Sequence, residues 1–153
     1  MTIIKTRRRL AALLMAFLAG AAAAQGVPQN LPAITLQAGI HSIRAAVAQT
    51  PEQWQTGLMY RREMAQHEGM LFVTDHLAPR CFWMKNTLLP LSVAFLADDG
   101  TVVNIADMKP QSLDSHCSTQ PVRFVLEMNQ GWFAKRGIKA GSKISGPPFT
   151  TTR

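Results

Sequence analysis

The sequence predicts a mainly β protein, a single compact sandwich or barrel-like sheet carrying one or two short helices. Three observations support this. Apolar and polar residues alternate over many short segments, the period of a half-buried strand. Turn signals rich in Gly, Asn and Asp separate those segments. After the N-terminal apolar run, no long stretch of 3.6-residue periodicity competes with them.

The N-terminal run reads as a targeting segment. Lys5, Arg7, Arg8 and Arg9 precede an apolar stretch from Leu10 to Ala24 that closes on Ala22-Ala23-Ala24. A basic start, a short apolar middle and small residues at the end make a secretory signal peptide over residues 1–24, short for a membrane span. An uncleaved N-terminal anchor is the alternative. No Cys follows the small residues, so a lipoprotein anchor is not predicted. The expected location is outside the cytoplasm, periplasmic or secreted, with no stable membrane span once the signal is removed.

Removing that segment changes the electrostatic reading. The formal net charge of +7 includes four positives from the signal, which leaves +3. The remaining bases, from Arg44 to Arg153, are interspersed with acids. Neither a nucleic-acid stripe nor a polybasic membrane patch is predicted.

Residues 25–33, with Pro28, Asn30 and Pro32, read as a linker. The β domain is expected over 34–145. Ile34 to Gln37 alternates, Ala38-Gly39 signals a turn, and His41 to Ala48 alternates with Ile43, Ala45 and Val47 on one face, a hairpin pattern. Thr50-Pro51-Glu52-Gln53 starts a helix with Thr as cap, Pro first and Gln three residues after the cap. Gly57 ends it in a left-handed conformation, and Trp54 and Leu58 share its buried face. Strands follow at Gly69 to Val73, Cys81 to Lys85, Leu91 to Ala97, Thr101 to Ala106 and Val122 to Met128, with Asp98-Asp99-Gly100 as a hairpin turn. Gly131 to Arg136 is a second short helix candidate, and Ile138 to Ile144 leads into a last edge strand. Gly146-Pro147-Pro148 ends the pattern, leaving 146–153 as a flexible tail.

Several motifs stand in a recognisable order. Gly57-Leu58-Met59-Tyr60-Arg61 precedes Gly69-Met70-Leu71-Phe72-Val73, then Phe82-Trp83-Met84-Lys85-Asn86-Thr87 and Pro90-Leu91. Val125-Leu126-Glu127-Met128-Asn129, Gly131 and Gly137-Ile138-Lys139-Ala140-Gly141 complete the series. This resembles the domain of unknown function 192 family, small and often exported proteins, over roughly Ile34 to Ile144. The resemblance implies a jelly-roll-like β fold with a short helix, and no activity, substrate or cofactor. Members commonly carry Asp after the Pro-Leu pair, where this chain has Ser92.

The two cysteines, Cys81 and Cys117, form an even pair in an exported setting, which reads as a disulfide. Closing that loop would stabilise by roughly 4 kcal/mol in the chain-entropy view. A reactive thiol pair and a metal site are the rivals. Cys81, Cys117, His116 and Met84 supply soft ligands suited to copper, but no Cys-x-x-Cys motif or ligand-spaced His pair is present. Nor is there a Gly-x-Ser-x-Gly elbow, a His-Glu-x-x-His helix or a phosphate loop. No catalytic residue, cofactor or metal ligand is therefore assigned, and a hydrolase would need a constellation assembled only by the fold.

The strand expected at Cys81 to Lys85 sends Trp83 and Lys85 to one face and Phe82 and Met84 to the other. Trp83 beside Lys85, with Asn86 in the following turn, offers stacking and hydrogen bonds to a small polar ligand such as a sugar or peptide. Packing of Trp83 under a loop is the plainer alternative. Arg61 is suited to a carboxylate, on a ligand or on the protein's own Glu127 or Asp75. The expected role is a non-enzymatic envelope domain binding a small polar ligand or polymer fragment through Arg61, Trp83, Lys85 and Asn86.

Overall fold

The structure is a computed structural model that describes residues 26–149; the expected signal peptide and residues 150–153 lie outside the described residues. Strands β1 (Ala33–Ala38) and β2 (His41–Ala48) form the antiparallel hairpin that their alternation predicts, turning at Gly39-Ile40. Helix α1 (Pro51–Thr56) starts on a complete capping box: Thr50 Oγ1 accepts the Gln53 N–H at 3.3 Å, and Gln53 Oε1 accepts the Thr50 N–H at 3.2 Å. Each such cap is worth ~1 kcal/mol. Trp54 Nε1 donates to the Ala48 carbonyl at 3.0 Å and ties the helix back onto β2.

The crossover through α1 lets β3 (Glu68–Ala78) pair parallel with β2, which no tight turn allows. Strand β4 (Cys81–Phe82) is followed by β5 (Leu91–Leu96) and β6 (Val102–Met108), joined across Asp98-Asp99-Gly100, where Asp99 Oδ1 accepts the Thr101 N–H at 2.9 Å. Strands β7 (His116–Cys117), β8 (Val122–Asn129) and β9 (Ile144–Ser145) complete the chain. Seven strands form one sheet in the order β6-β5-β8-β3-β2-β1-β9, and β4 pairs with β7 in a separate ribbon. The two sheet edges meet: Gly141 N–H donates to the Val102 carbonyl at 2.8 Å and Ile144 N–H to the Gly100 carbonyl at 2.9 Å. The sheet is thus curled into a half-barrel.

Both faces of the central strands are covered. Leu71, Ala94, Leu126 and Met128 pack inside the curl with Leu36, Ile43 and Trp132. Met70, Phe72, Val93 and Val125 face the opposite way, under Leu58 and Met84. All six residues of β5 are buried.

Several details differ from the sequence reading. The strand expected over Cys81 to Lys85 stops at Phe82, because Met84 N–H turns to the Ser112 carbonyl and Thr87 N–H closes onto the Met84 carbonyl. Gly57 has the expected positive φ of 47°, but its ψ of −130° lies outside the left-handed helical region. A side chain there would be strained by that φ, although its Cβ would meet the Phe72 ring only at contact distance, 3.4 Å. The second helix is a single 3-10 turn, Ala134–Arg136. Residues 26–32 lie outside the strands, yet Gln29 Nε2 donates to the Gln53 and Gly57 carbonyls at 2.8 and 2.9 Å. Phe149, in the segment read as a tail, packs edge-on against Phe124 at 5.2 Å.

Candidate functional site

The segment from Cys81 to Leu88 divides two depressions. Its start is pinned: Cys81 lies opposite Cys117, Phe82 opposite His116, and the two Sγ atoms are 2.10 Å apart, at disulfide distance. Met84 then buries itself completely against the helix-covered face, while Trp83 stays 47% exposed. Lys85 Nζ sits 5.5 Å from the centroid of the Trp83 ring.

On one side lies an open groove of about 840 Å³, lined by residues including Gln29, Asn30, Tyr60, Arg61, Arg62 and Asn86. Two non-glycine residues with positive φ meet there, Tyr60 at 66° and Asn86 at 53°. The Tyr60 N–H donates to the Asn86 carbonyl at 2.9 Å, and Asn86 Nδ2 donates to the Tyr60 hydroxyl at 3.1 Å. Such conformations cost energy unless their surroundings hold them, and they concentrate at functional sites. Gly26 closes the groove's end against the Tyr60 ring, so tightly that a Cβ would fall 2.1 Å from Cζ. Arg61 pairs with neither Glu127 nor Asp75, the two protein carboxylates that the sequence offered as alternatives to a ligand. Its Nη2 donates to the Gln29 carbonyl at 3.3 Å, and its other donors have no hydrogen-bond partner among the described residues.

On the other side, a cleft of about 320 Å³ runs between α1 and the segment 79–83, walled by Trp54, Phe72, Phe82 and Trp83. Phe82 packs edge-on against Phe72 at 4.8 Å. Arg80 is held at the rim, where its Nη2 donates to Thr74 Oγ1 at 3.0 Å and to the His76 carbonyl at 2.8 Å. A cavity of about 30 Å³ shares those four aromatic walls and has Glu127 and Thr87 in its lining. Glu127 is 4% exposed, and no hydrogen bond or ion pair among the described residues reaches its carboxyl group. Burial pushes its pKa up to about 8.

The four ligand-binding candidates are therefore split. Arg61 and Asn86 share the groove, Trp83 belongs to the cleft, and Lys85 lies over the Trp83 ring. The copper or thiol set is not gathered either: Met84 is in the core, and no group of three or more His, Cys, Asp or Glu among the described residues is placed to hold a metal ion. No helix among the described residues is long and apolar enough to cross a membrane.

The profile of the domain of unknown function 192 family, described as an uncharacterized ACR, matches residues 33–146. The chain belongs to this family. Two solved structures of this fold are similar to the chain. One, from Sinorhizobium meliloti 1021, is described as a candidate transcription regulator; it is 37% identical, over 79% of this chain and 97% of its own, with a TM-score of 0.71. The other, a protein of unknown function from Novosphingobium aromaticivorans DSM 12444, is 34% identical, over 76% of this chain and 86% of its own, with a TM-score of 0.72. No curated protein matches the chain.

In this member of the domain of unknown function 192 family, the position of Ser92 is resolved by its neighbours. Ser92 is buried on β5 opposite Asp107 of β6; its hydroxyl donates to Asp107 Oδ1 and accepts the Gly131 N–H at 2.8 Å. A carboxylate thus stands beside this position on β5, supplied by Asp107 of the facing strand. Glu127, named from the sequence only as a possible partner of Arg61, is the site residue whose surroundings sequence reasoning left open. The only signal was an acid alternating with apolar residues in β8, a pattern that equally describes a solvent-facing position.

Proposed function

We propose that the protein is an exported envelope domain that binds, without turnover, a small polar ligand or polymer fragment carrying a carboxylate, in the groove at Arg61 and Asn86. The observation that carries this reading is the clasp between Tyr60 and Asn86. It fixes two strained residues beside a guanidinium with free donors, and an Arg fork matches a carboxylate bidentately. Gln29, Asn30 and Arg62 add polar and basic lining. The N-terminal signal pattern and a cysteine pair at bonding distance support export, since disulfides persist in oxidising compartments.

A nucleic-acid role, as the Sinorhizobium description would imply, has less support. Arg44, Arg123 and Lys143 each face a carboxylate of Glu68, Asp98 and Asp99, which leaves no free basic stripe among them. The test is calorimetry or NMR titration of the purified chain with acidic sugars and short peptides. A member of that panel should bind saturably, and Arg61→Ala should weaken it at least tenfold with the fold unchanged by circular dichroism. Equal binding by Arg61→Ala would overturn the assignment, as would a wild-type chain indifferent to the whole panel.

A further inference from the structure

Glu127 stands on the central strand β8 with Met70 of β3 and Val93 of β5 directly opposite, both fully buried. A strand carboxyl is ordinarily solvated or paired. This one is 4% exposed and has no hydrogen bond or ion pair among the described residues, and it borders a cavity of about 30 Å³, above the ~15 Å³ that a water-sized group needs. Of the side-chain donors in its lining, those of Trp54, Thr56 and Thr87 are already committed, and Gln55 is an exposed residue. Trp54 Nε1 donates to the Ala48 carbonyl, Thr56 Oγ1 to the Glu52 carbonyl and Thr87 Oγ1 to the Lys85 carbonyl. The inner cavity is thus an acceptor site. Its complement is a group that brings several donors and no acceptor, and an ammonium carries three.

The cleft above it supplies aromatic faces, which attract cations through the ring quadrupole. Two of those faces already take protein cations at the rim: Lys85 lies 5.5 Å from the Trp83 centroid and Arg80 5.9 Å from that of Trp54. A cavity of about 30 Å³ has no room for a trimethylammonium head. We propose that this cleft is a second binding site, specific for a small primary amine, with its ammonium against the Glu127 carboxylate and its apolar body between Trp54, Phe82 and Trp83.

Burial raises the pKa of Glu127 to about 8, which favours its neutral form. An ammonium head ionises it, so binding below that pH releases a proton and tightens as pH rises towards 8. The inner cavity's lining contains no other titratable side chain. Of the charged groups on the elements packed around it, Glu68 pairs with Arg44 and Arg123 with Asp98, while Arg80 is bonded to Thr74 and the His76 carbonyl. Further ones are Glu52 on α1, Tyr60 and Arg61 beyond it, Asp75 and His76 on β3, Lys85 at the rim and His116 of β7, opposite Phe82. An alcohol would behave oppositely, favouring the neutral acid and weakening above pH 8.

The experiment is isothermal titration of the purified chain with benzylamine at pH 6, 7 and 8 in two buffers of different ionisation enthalpy. Benzyl alcohol and benzyltrimethylammonium serve as controls. Saturable benzylamine binding with proton release, tightening with pH, is expected, as is at least a tenfold loss in Glu127→Gln and no binding of either control. Should Glu127→Gln fail to fold, Trp83→Ala, at an exposed rim position, carries the test with a severalfold loss. Benzylamine that does not saturate the wild-type chain would overturn the proposal. So would controls that bind equally well, or affinity unchanged in the folded variants.

Discussion

Tyr60 and Asn86 hold each other by two hydrogen bonds, one from the Tyr60 backbone and one from the Asn86 amide, and both residues sit at positive φ. The clasp joins the segment after α1 to the turn after Met84, and so sets the width of the groove. Tyr60→Phe removes one acceptor and should cost ~1 kcal/mol. Asn86→Val should cost ~2–3 kcal/mol, because a β-branched residue resists that φ as well. Asn86→Gly should fall between wild type and Asn86→Val, since glycine accepts the backbone. Urea unfolding of the three variants checks that order.

Glu127 gives stability an unusual pH dependence. Its pKa is about 8 when folded against an ordinary 4.5, so between those values the native state binds a proton that the unfolded chain has lost. The contribution is intact below about pH 4.5 and shrinks by ~1.4 kcal/mol per pH unit until the folded pKa is passed. Glu127→Gln should flatten that slope, and denaturant midpoints for both proteins at pH 5.5, 7 and 8.5 measure it. Parallel slopes would mean that Glu127 is not the source.

Ser92 and Asp107 should be exchangeable as a pair. Ser92→Ala leaves the half-buried Gly131 N–H and the exposed Asp107 without their partner, at a cost of ~1 kcal/mol. Ser92→Asp sets two carboxylates against each other across β5 and β6 and should lower the melting temperature at pH 7. Adding Asp107→Ser to it restores one carboxylate and one hydroxyl, and should recover most of the loss. Thermal melts of the single and double variants decide this.

Reduction of the Cys81–Cys117 pair opens a loop whose ends are 36 residues apart. The folded protein should lose ~4 kcal/mol in the chain-entropy view. Because that pair anchors one wall of the aromatic cleft, reduction should also raise amide exchange at 79–83 more than in α1. Mass-spectrometric exchange with and without reductant compares the two.

Features legible in the sequence were the local ones. The β1–β2 hairpin, the box of Thr50 and Gln53, and the turn at Asp98-Asp99-Gly100 each rest on residues a few positions apart. The parallel pairing of β2 with β3 was not legible, since nothing local states which strand a crossover returns to. Nor was the end of β4: Phe82 to Lys85 has strand composition, but Ser112, distant in sequence, takes the Met84 N–H. Glu127 was ambiguous for a related reason. Alternation says only that it opposes Leu126 and Met128, and whether that face meets water depends on Leu58 and Met84 arriving to cover it. The split of Arg61 and Asn86 from Trp83 followed from the same unforeseen turn at Met84.

The complete burial of β5 bears on how this domain can change. A strand with one face in water has alternate positions that drift freely under mutation, whereas all six positions from Leu91 to Leu96 are enclosed. In a saturation library, β5 should be the least permissive stretch of the domain, and Lys85 and Leu88 among the most permissive positions of its neighbourhood. Novelty in recognition would therefore enter through exposed positions of the segment from Cys81 to Leu88, namely Trp83, Lys85 and Leu88, which can change while Met84, Thr87 and the strands behind them stay as they are.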